Sequence, residues 1–348
     1  MFKNLFKKLG KDVAIDLGTA NTLVYTPEKG IVIDEPSVVA INTKTEQILA
    51  VGGEAKQMLG KTPPHIQVTR PLTEGVISDY EVTEKMLKYF IDKVHQEGFS
   101  LASRPRVVIV VPLDVTEVEI KAVEDATLSA GAREVFVVQE PMAAAIGARL
   151  PIREAVGNMV VDIGGGNTEI AVISLSGVVT WKSTPIAGDE MNRNIIQYAR
   201  EVFSLLVGET HAEEIKKKVG SAIAGNEPIE FPMKGRDVVT GLPKEVTISD
   251  EHIREAIDRS VKTIVDYVKM TLEITPPELT ADIHERGLLL VGGGALLKGL
   301  DTVISQAAEI PVRVIDDPLT AVVRGAGILL EEDELLKEVV LPSARNEK

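Results

Sequence analysis

The sequence contains no cysteine among its 348 residues. This absence excludes disulfide bonds, thiolate nucleophiles and zinc sites built on cysteine, and it is compatible with a reducing cytosol. Long apolar runs are also missing, since a stretch such as Val107 to Val111 is far shorter than the ~20 residues of a membrane-spanning helix. We therefore expect no transmembrane helix, and no secretory signal, because the N-terminal segment lacks a continuous apolar core.

Outside the N-terminus, taken as a whole, acidic residues outnumber basic residues. The chain has 38 Lys and Arg residues against 52 Asp and Glu residues, a formal net charge of −14. Four lysines and no acid fall within residues 1–11, so the rest of the chain is more acidic still. An acidic chain without a basic stripe argues against nucleic acid as a partner. With 44% hydrophobic residues, the composition is that of a globular protein of about two domains.

The pattern from Asp12 onward predicts an α/β fold, because short apolar runs alternate with amphipathic stretches. The segment DLGTANT at 16–22 matches DIGGGNT at 162–168 without a gap, and EPMAAAIGA from Glu140 resembles DPLTAVVRGAG from Asp317. Two matched pairs in the same order favour an internal duplication over chance similarity. The single Trp181 lies in an alternating strand pattern and is expected in the core rather than in a stacking platform.

The two Asp-x-Gly segments are candidate phosphate-binding turns. A turn rich in Gly, Thr and Asn lets backbone N–H groups converge on an anion, because no Cβ blocks the approach. An Asp before such a turn repels phosphate but can hold Mg²⁺ through water. The alternative is a pair of purely structural β-hairpins. The matched pair favours phosphate binding, whereas one turn alone would be weak evidence.

Other nucleotide-binding signals are absent or ambiguous. There is no Walker loop and no dinucleotide-binding GxGxxG motif followed by a ribose-binding acid. The segment VGGGALLKG at 291–299 suits a turn that lies flat against a nucleoside, and it suits a tight strand-to-helix turn equally well. The five histidines show no metal-ligand spacing.

At the level of whole motifs, the chain resembles the MreB family, bacterial members of the superfamily of actins, sugar kinases and heat-shock chaperone ATPases. The resemblance covers essentially the whole chain and rests on the following segments: DLGTANTLVY, DEPSVVAI, RPLTEGVISDY, EPMAAAIGA, VVDIGGGNTEIAVIS, GDEMN, VGGGALLKGL and RGAGILL. It implies an actin-like α/β fold of two duplicated lobes around an interlobe nucleotide cleft. Lobe I would comprise residues 12–145 and 316–348, with a small subdomain at about 33–65, and lobe II residues 146–315, with a small subdomain at about 182–245.

The resemblance also implies a site for ATP and Mg²⁺. Its first phosphate turn would contain Gly18, Thr19, Ala20 and Asn21, and its second Gly164, Gly165, Gly166, Asn167 and Thr168, with Thr168 also counted among the catalytic residues. Asp16 and Asp162 would lie behind the Mg²⁺ waters. The adenosine side would be lined by Gly292, Gly293, Gly294, Ala295 and Leu296, and the ribose and adenine contacts would come from Glu213, Glu214, Ile215 and Lys216. Asn21 stands where actins place a lysine, which suggests slow hydrolysis.

Two of these assignments depend on the resemblance. Glu140 matches the residue that places the attacking water in actin-like proteins, and a carboxylate suits that task because phosphoryl transfer depends on positioning. From the residues alone, an acid at a helix N-terminus is the simpler interpretation. Likewise, the stretch from Glu213 to Lys216 would otherwise be interpreted as a solvated helix face.

The first eleven residues form a basic amphipathic pattern. At 100° per residue, Phe2, Leu5, Phe6 and Leu9 fall on one face and the lysines on the other. Such a helix suits an anionic membrane surface, although it could also dock on its own domain. Phe99 and Leu101, in a loop, are a second candidate membrane contact and equally suit buried plugs.

Three functions remain open at this point. The leading one is an ATP-hydrolysing cytoskeletal protein whose homopolymer, built of paired protofilaments, lies on the inner face of the plasma membrane and organises cell-wall synthesis and rod shape. Its further partners would be anionic lipids and membrane proteins of the elongation machinery. The second is a small-molecule kinase of the same superfold, and the third is a chaperone-type ATPase.

Overall fold

A computed structural model describes residues 12–96, 104–225 and 227–343. The expected membrane helix with Phe2, Leu5, Phe6 and Leu9 lies outside the described residues, as do Phe99 and Leu101. Within the described ranges, no helix is long and apolar enough to cross a membrane.

The strands and helices follow the α/β alternation that the sequence predicts. Up to Val156 they are β1 (Val13–Leu17), β2 (Asn21–Thr26), β3 (Gly30–Pro36), β4 (Val39–Asn42), β5 (Gln47–Val51), α1 (Gly53–Met58), β6 (Ile66–Thr69), β7 (Leu72–Thr73), β8 (Val76–Ile77), α2 (Tyr80–Gln96), β9 (Arg106–Val111), α3 (Glu117–Ser129), β10 (Glu134–Gln139) and α4 (Glu140–Gly147).

The elements from Gly157 onward repeat this alternation. They are β11 (Asn158–Ile163), β12 (Thr168–Ser174), β13 (Gly177–Thr184), α5 (Gly188–Phe203), β14 (Leu205–Leu206), α6 (Glu209–Val219), β15 (Glu230–Asp237), β16 (Pro243–Ser249), α7 (Asp250–Glu273), α8 (Pro277–Arg286), β17 (Leu288–Val291), a 3₁₀ helix (Gly293–Leu296), α9 (Leu300–Ala308), β18 (Val312–Val314), a second 3₁₀ helix (Pro318–Thr320), α10 (Ala321–Glu331) and α11 (Asp333–Val339).

The chain divides into two compact units. The first contains the described residues up to Val156, residues 173–178 and the chain from Leu319, and the second contains residues 157–172 and 179–318. Each unit has its own apolar core, one around β1, β9 and α2 and the other around β11, β17 and α7.

The large sheet of the first unit has the strand order β10-β9-β1-β2-β3. Strands β1 and β2 form an antiparallel hairpin in which Leu17 pairs with Thr22, while β9 runs parallel to both β1 and β10. The sheet that contains β11 has the order β18-β17-β11-β12-β13, with β17 parallel to β11 and β18. The two orders correspond strand for strand, so the predicted duplication is confirmed.

Two glycines set the contact between α4 and α10 in the first unit. A Cβ atom on Gly147 would collide with the carbonyl oxygen of Ala321, and one on Gly325 would collide with that of Ala143. The small residues of EPMAAAIGA and VRGAG therefore let two helix backbones touch. This contact fixes the helix whose first residue is Glu140.

One sequence prediction about the core is wrong. Trp181 was expected to be buried, but its side chain is 41% exposed. It lies on β13, the edge strand of its sheet, and burial along this strand alternates so that Thr180 faces inward while Val179 and Trp181 face outward. The alternation was recognised correctly, but the buried face was assigned to the wrong residues. Helix α8 was not predicted either, although Pro277 in its first turn is a common helix start.

Candidate functional site

The first predicted phosphate turn joins β1 to β2. A Cβ atom on Gly18 would lie 2.8 Å from the carbonyl oxygen of Asn21, so only glycine lets the chain reverse this tightly. Asp16, on β1, pairs with Leu23 across the hairpin and is half-buried. The turn therefore has the close backbone packing that the sequence predicts.

Residues distant in sequence hold this first turn in place. The Ser37 hydroxyl donates to the carbonyl of Gly18 at 2.6 Å, and the Ser37 amide donates to the carbonyl of Ala20 at 3.0 Å. The amide of Gly75 donates to the Thr19 hydroxyl at 2.8 Å. Because these bonds bind the carbonyls and the Thr19 side chain, the turn can keep one shape before a ligand arrives.

Asn21 occupies the position where actins have lysine, and its side chain is already engaged. Its amide nitrogen donates to Asp34 at 2.8 Å, within the same sheet. The side chain therefore braces the hairpin and carries no charge to a ligand. Sequence reasoning identified the substitution but not the contact, because Asp34 is thirteen residues away.

The second predicted turn joins β11 to β12. The amide of Gly164 donates to the carbonyl of Asn167 at 3.0 Å, which closes the turn. The Thr168 hydroxyl donates to the carbonyl of Ile186 at 2.8 Å, and its side chain is fully buried. Thr168 therefore anchors the turn to the segment that leads into α5.

The start of α5 packs on the same turn. The amides of Gly188 and Asp189 donate to the carbonyls of Gly164 and Gly165, at 3.2 and 2.8 Å. A Cβ atom on Gly188 would lie 3.3 Å from the carbonyl oxygen of Gly164. The first two residues of the GDEMN motif thus hold the second turn in place.

Asn167 has a buried side-chain donor at this turn. Its side chain is only 8% exposed, yet its amide nitrogen Nδ2 has no hydrogen-bond acceptor among the described residues. Leaving such a donor unsatisfied costs about 1–3 kcal/mol. A group with spare acceptor oxygens, as a phosphate has, would satisfy it.

Asp162 is the second-last residue of β11, just before this turn, and is buried. Burial raises the pKa of its carboxyl group to about 7, because removal from water disfavours the charged form. A nearby cation would reverse that effect. The described residues contain no group of three or more His, Cys, Asp or Glu side chains that could hold a metal ion by themselves. One carboxylate beside this candidate phosphate turn nevertheless fits Mg²⁺, which keeps several of its waters when bound to a nucleotide.

The segment from Gly292 to Leu296 lies against Asp162 in the same unit. Gly292 has a φ of 78°, and a Cβ atom there would collide with Asp162 Oδ1 and with the carbonyl oxygen of Ile163. Both conformation and space therefore require glycine at this position. Gly293 and Leu296 are exposed, whereas Ala295 is buried. The structure thus brings the predicted adenosine segment to the end of the strand that carries Asp162.

Helix α6 contributes one contact to this group. The Lys216 ammonium donates to the carbonyl of Gly188 at 2.6 Å, so it binds the residue that packs on the second turn. Ile215 is fully buried in the core of the second unit, which leaves its side chain unavailable to a ligand. Glu213 and Glu214 pair with Lys217 and His211, at 2.7 and 2.9 Å.

Glu140, the predicted water-orienting residue, is the first residue of α4 and is 9% exposed. It follows β10 directly, and Pro141 occupies the first turn of the helix. The helix dipole stabilises a buried carboxylate at a helix N-terminus. The position of Glu140 is therefore compatible with a helix-stabilising role and with a water-orienting role.

Comparison with known proteins identifies relatives over nearly the whole chain. The family model for the MreB/Mbl protein matches residues 10–338. The cell shape-determining protein MreB of Escherichia coli K12 is 50% identical over 335 residues, covering 95% of this chain and 96% of that protein. The cell shape-determining protein Mbl of Bacillus subtilis 168 is 46% identical over 326 residues, covering 94% and 97%.

Solved structures show the same architecture. MreB5 of Spiroplasma citri bound to ADP superposes with a TM-score of 0.88 at 35% identity, covering 92% of this chain and 96% of that one. A MamK double helical filament superposes with a TM-score of 0.78 at 21% identity, covering 92% and 99%, which shows the fold alone. The expected actin-like fold is confirmed, and the chain belongs to the MreB/Mbl family of cell shape-determining proteins.

Proposed function

We propose that this protein binds and slowly hydrolyses Mg²⁺-ATP, forms filaments on the inner face of the plasma membrane, and there organises cell-wall synthesis that maintains rod shape. Two of its relatives are named as cell shape-determining proteins, and the MreB5 structures hold ADP and AMPPNP. Its partners would be further copies of itself, anionic lipids and membrane proteins of the elongation machinery.

The nucleotide part of the proposal rests on the second turn. The buried Asn167 amide without an acceptor, at a turn whose carbonyls are already bound, is the arrangement expected where phosphate oxygens complete the hydrogen bonding. When bound, Mg²⁺ would neutralise phosphate charge, and its waters would donate to Asp162 and, by the sequence repeat, to Asp16. Gly292 to Leu296, Glu213 and Lys216 would face the nucleoside.

The hydrolytic part assigns one residue. Glu140 would accept a hydrogen bond from the attacking water and orient it toward the terminal phosphorus, since phosphoryl transfer depends mainly on position and electrostatics. Asn21 adds no positive charge to the phosphates because a carboxamide is neutral, and its nitrogen already donates to Asp34. Stabilisation would come from backbone amides and the metal, which is consistent with slow turnover.

The membrane part rests on the sequence of residues 2–9. Burying Phe2, Leu5, Phe6 and Leu9 contributes roughly 1.5–3 kcal/mol each before ordering costs. An isolated helix shorter than ~12 residues is only marginally stable, which offsets much of this gain. A protomer would therefore bind weakly and a filament firmly, because each further contact is intramolecular.

Sedimentation in ATP, in ADP and without nucleotide, each with and without anionic vesicles, tests the proposal. We expect ATP-dependent pelleting, slow phosphate release and co-flotation of polymers with vesicles. ADP production that saturates with an added small substrate and forms no polymer would instead indicate a kinase. Turnover stimulated by peptide without polymer would indicate a chaperone-type ATPase.

A further inference from the structure

An apolar pocket of about 280 Å³ lies in the first unit, where α4 and α10 end. Its apolar lining consists of Ile146, Leu150, Pro151, Ile152, Ile328 and Leu335, and two basic and two acidic side chains complete it. We call it the α10 pocket. A cavity of ~150 Å³ can hold a benzene ring, so this volume fits one aromatic side chain and part of a second apolar one. None of the lining residues belongs to the proposed nucleotide site.

Backbone hydrogen bonds fix one wall of the α10 pocket. Helix α4 ends where Arg149 takes the left-handed conformation, with a φ of 56°. The amide of Leu150 donates to the carbonyl of Ala145 at 3.0 Å, which closes the helix end. Beyond it, the amide of Ser176 donates to the carbonyl of Ile152 at 2.7 Å. Because these bonds already hold the wall, an occupant would not have to order it.

Asp12, the first described residue, lies beside this pocket. Its carboxylate accepts from the amide and from Nε of Arg106, at 3.0 and 3.1 Å. The same guanidinium donates to the carbonyl of Leu330 and to the carboxylate of Asp333, both at 3.0 Å. Leu330 is two residues from Ile328 of the pocket lining, about 3 Å along a helix axis. Residues 1–11 therefore precede a point that is anchored at the junction of α10 and α11.

Residues 1–11 are long enough to reach the α10 pocket. Phe6 precedes Asp12 by six residues, which span about 9 Å as a helix or about 20 Å when extended. Leu9 is closer still. Since a single guanidinium bridges Asp12 and Leu330, the gap to be covered is of the same order as these spans.

Charge also matches this segment to the edge of the pocket. Residues 1–11 contain four lysines and no acid. Residues 331–334, at the junction of α10 and α11, are four consecutive acids, and all are exposed. Asp333 pairs with Arg106, whereas the other three have no ion-pair partner in the described part of the chain, and one of them, Glu332, lines the pocket. A docked segment would bring its lysines to these unpaired acids.

The other stretches outside the described ranges match the pocket less well. Residues 97–103 include Phe99 and Leu101 but no basic residue, and residues 344–348 have no large apolar side chain. Only residues 1–11 combine aromatic side chains with basic charge, and they do so on two separate faces of a helical pattern.

We propose that residues 2–9 of this chain dock in its own α10 pocket when no membrane is present. Phe6 enters the pocket with Leu9 at its edge, and the neighbouring lysines lie against residues 331–334. Because the segment is tethered at Asp12, docking is intramolecular, so even a weak contact is well populated.

This contact makes membrane binding conditional. Phe6 and Leu9 cannot lie in the pocket and in a lipid surface at once, so lipid must displace the segment from the pocket. The membrane affinity of a protomer is then reduced by the fraction of segments that are undocked. This consequence rests on the proposed membrane role of residues 2–9, whereas the contact itself does not.

Disulfide trapping tests the contact directly, because the parent has no cysteine. The test pair is Lys7→Cys with Glu332→Cys. The matched control pair is Lys7→Cys with Glu46→Cys, on the exposed turn between β4 and β5. At protein concentrations below assembly, mild oxidation should give about tenfold more cross-linked monomer in the test pair than in the control pair. Anionic vesicles should lower this yield severalfold.

Two further substitutions locate the apolar part of the contact. Added to the test pair, Phe6→Ser should lower the cross-linking yield severalfold, because the ring that fills the pocket is gone. Asn4→Ser changes the opposite face of the helical pattern and should leave the yield unchanged.

Vesicle flotation without nucleotide tests the consequence. Glu332→Lys weakens docking, so it should raise the affinity of the protomer for anionic vesicles by about threefold or more. Glu46→Lys changes the net charge equally and should bind as the parent does. In a chain without residues 2–9, Glu332→Lys should have no effect. Both glutamates are exposed, and urea unfolding that matches the parent verifies that the variants fold.

Three results would overturn the inference alone. They are equal cross-linking in the test and control pairs, cross-linked dimers in place of monomers, which would place the segment on a second copy, and a yield that Phe6→Ser leaves unchanged. A parent that forms the cross-linked monomer but never floats with vesicles would instead overturn the membrane part of the proposed function and leave the contact standing.

Discussion

The glycine before the 3₁₀ helix offers a direct test of the nucleotide site, through Gly292→Ala. The backbone at this position has a φ of 78° and a ψ of 170°, a region almost confined to glycine that costs an alanine about 1–3 kcal/mol. In addition, the new methyl group would collide with the Asp162 carboxylate and with the backbone of Ile163. Overpacking of this kind adds about 1–3 kcal/mol.

A second glycine separates the two costs. Gly241 belongs to the same unit and has a φ of 72°, but a Cβ atom there would have no neighbour within 4 Å. Gly241→Ala should therefore lose only the cost of its positive φ, about 1–2 kcal/mol. We expect Gly292→Ala to lose a further ~1–3 kcal/mol in urea unfolding without nucleotide, at protein concentrations below assembly.

ATP affinity provides the functional readout. A displaced Asp162 would lose a charge-mediated contact worth ~1.5–3 kcal/mol, so Gly292→Ala should bind Mg²⁺-ATP about ten- to a hundredfold more weakly. Gly241→Ala should bind as the parent does, measured with a fluorescent ATP analogue. Equal stability losses in the two variants, together with parental affinity in both, would refute the role of Gly292 as a close packing partner of the site.

Four further predictions concern separate residues. Asn167→Ala removes a buried donor without an acceptor, so stability without nucleotide should stay the same or rise while ATP affinity falls several-fold, as chemical denaturation and titration will show. Burial raises the pKa of Asp162 from 3.8 to about 7, so the folded chain binds this proton more tightly than the unfolded chain does. The free energy of unfolding without nucleotide should therefore fall as pH rises from about 4 to 7. Asp162→Asn should remove this contribution to the pH dependence, as urea unfolding at pH 5 and 8 will show. Glu140→Gln should retain ATP and polymer while phosphate release slows by ~10²–10⁴-fold, and a parental rate would return Glu140 to a helix-stabilising role. Deleting residues 2–9 should release polymers from anionic vesicles without preventing assembly in solution, and unchanged co-flotation would point instead to Phe99 and Leu101.

The sequence predicted what depends on local pattern. Both hairpin turns and the helix beginning at Glu140 lie where Gly and Pro predict them, because these residues act through the backbone of their own segment. The duplication was also visible, since each copy kept its turn residues in order. The matching strand orders of the two large sheets confirm it.

The contacts that shape the site could not be predicted in the same way. Ser37 binds Gly18 across nineteen residues, Gly75 binds Thr19 across fifty-six, and Lys216 binds Gly188 across twenty-eight. Such contacts depend on how the sheets and helices pack, and a single sequence contains no periodicity that reveals them. For the same reason the wrong face of β13 was assigned to the core, since an alternating pattern does not say which face is covered.

The hydrogen bonds around α5 connect the two ends of the proposed nucleotide site within a single unit. The carbonyls of Gly164 and Gly165 bind the first amides of α5, and the carbonyl of Gly188 binds Lys216 on α6. Gly188 takes part in the bond to Gly164 and in the bond to Lys216, and Asp189, which follows it, binds Gly165. The second turn therefore cannot shift without moving the start of α5 or breaking these bonds. Any displacement of the turn by a phosphate would therefore reach Lys216 through one residue, Gly188. A Cβ atom on Gly188 would lie 3.3 Å from the carbonyl oxygen of Gly164 and 3.3 Å from Nζ of Lys216, so these three residues are closely packed. The proposed phosphate turn and the helix proposed to contact the nucleoside are thus linked by hydrogen bonds within the second unit.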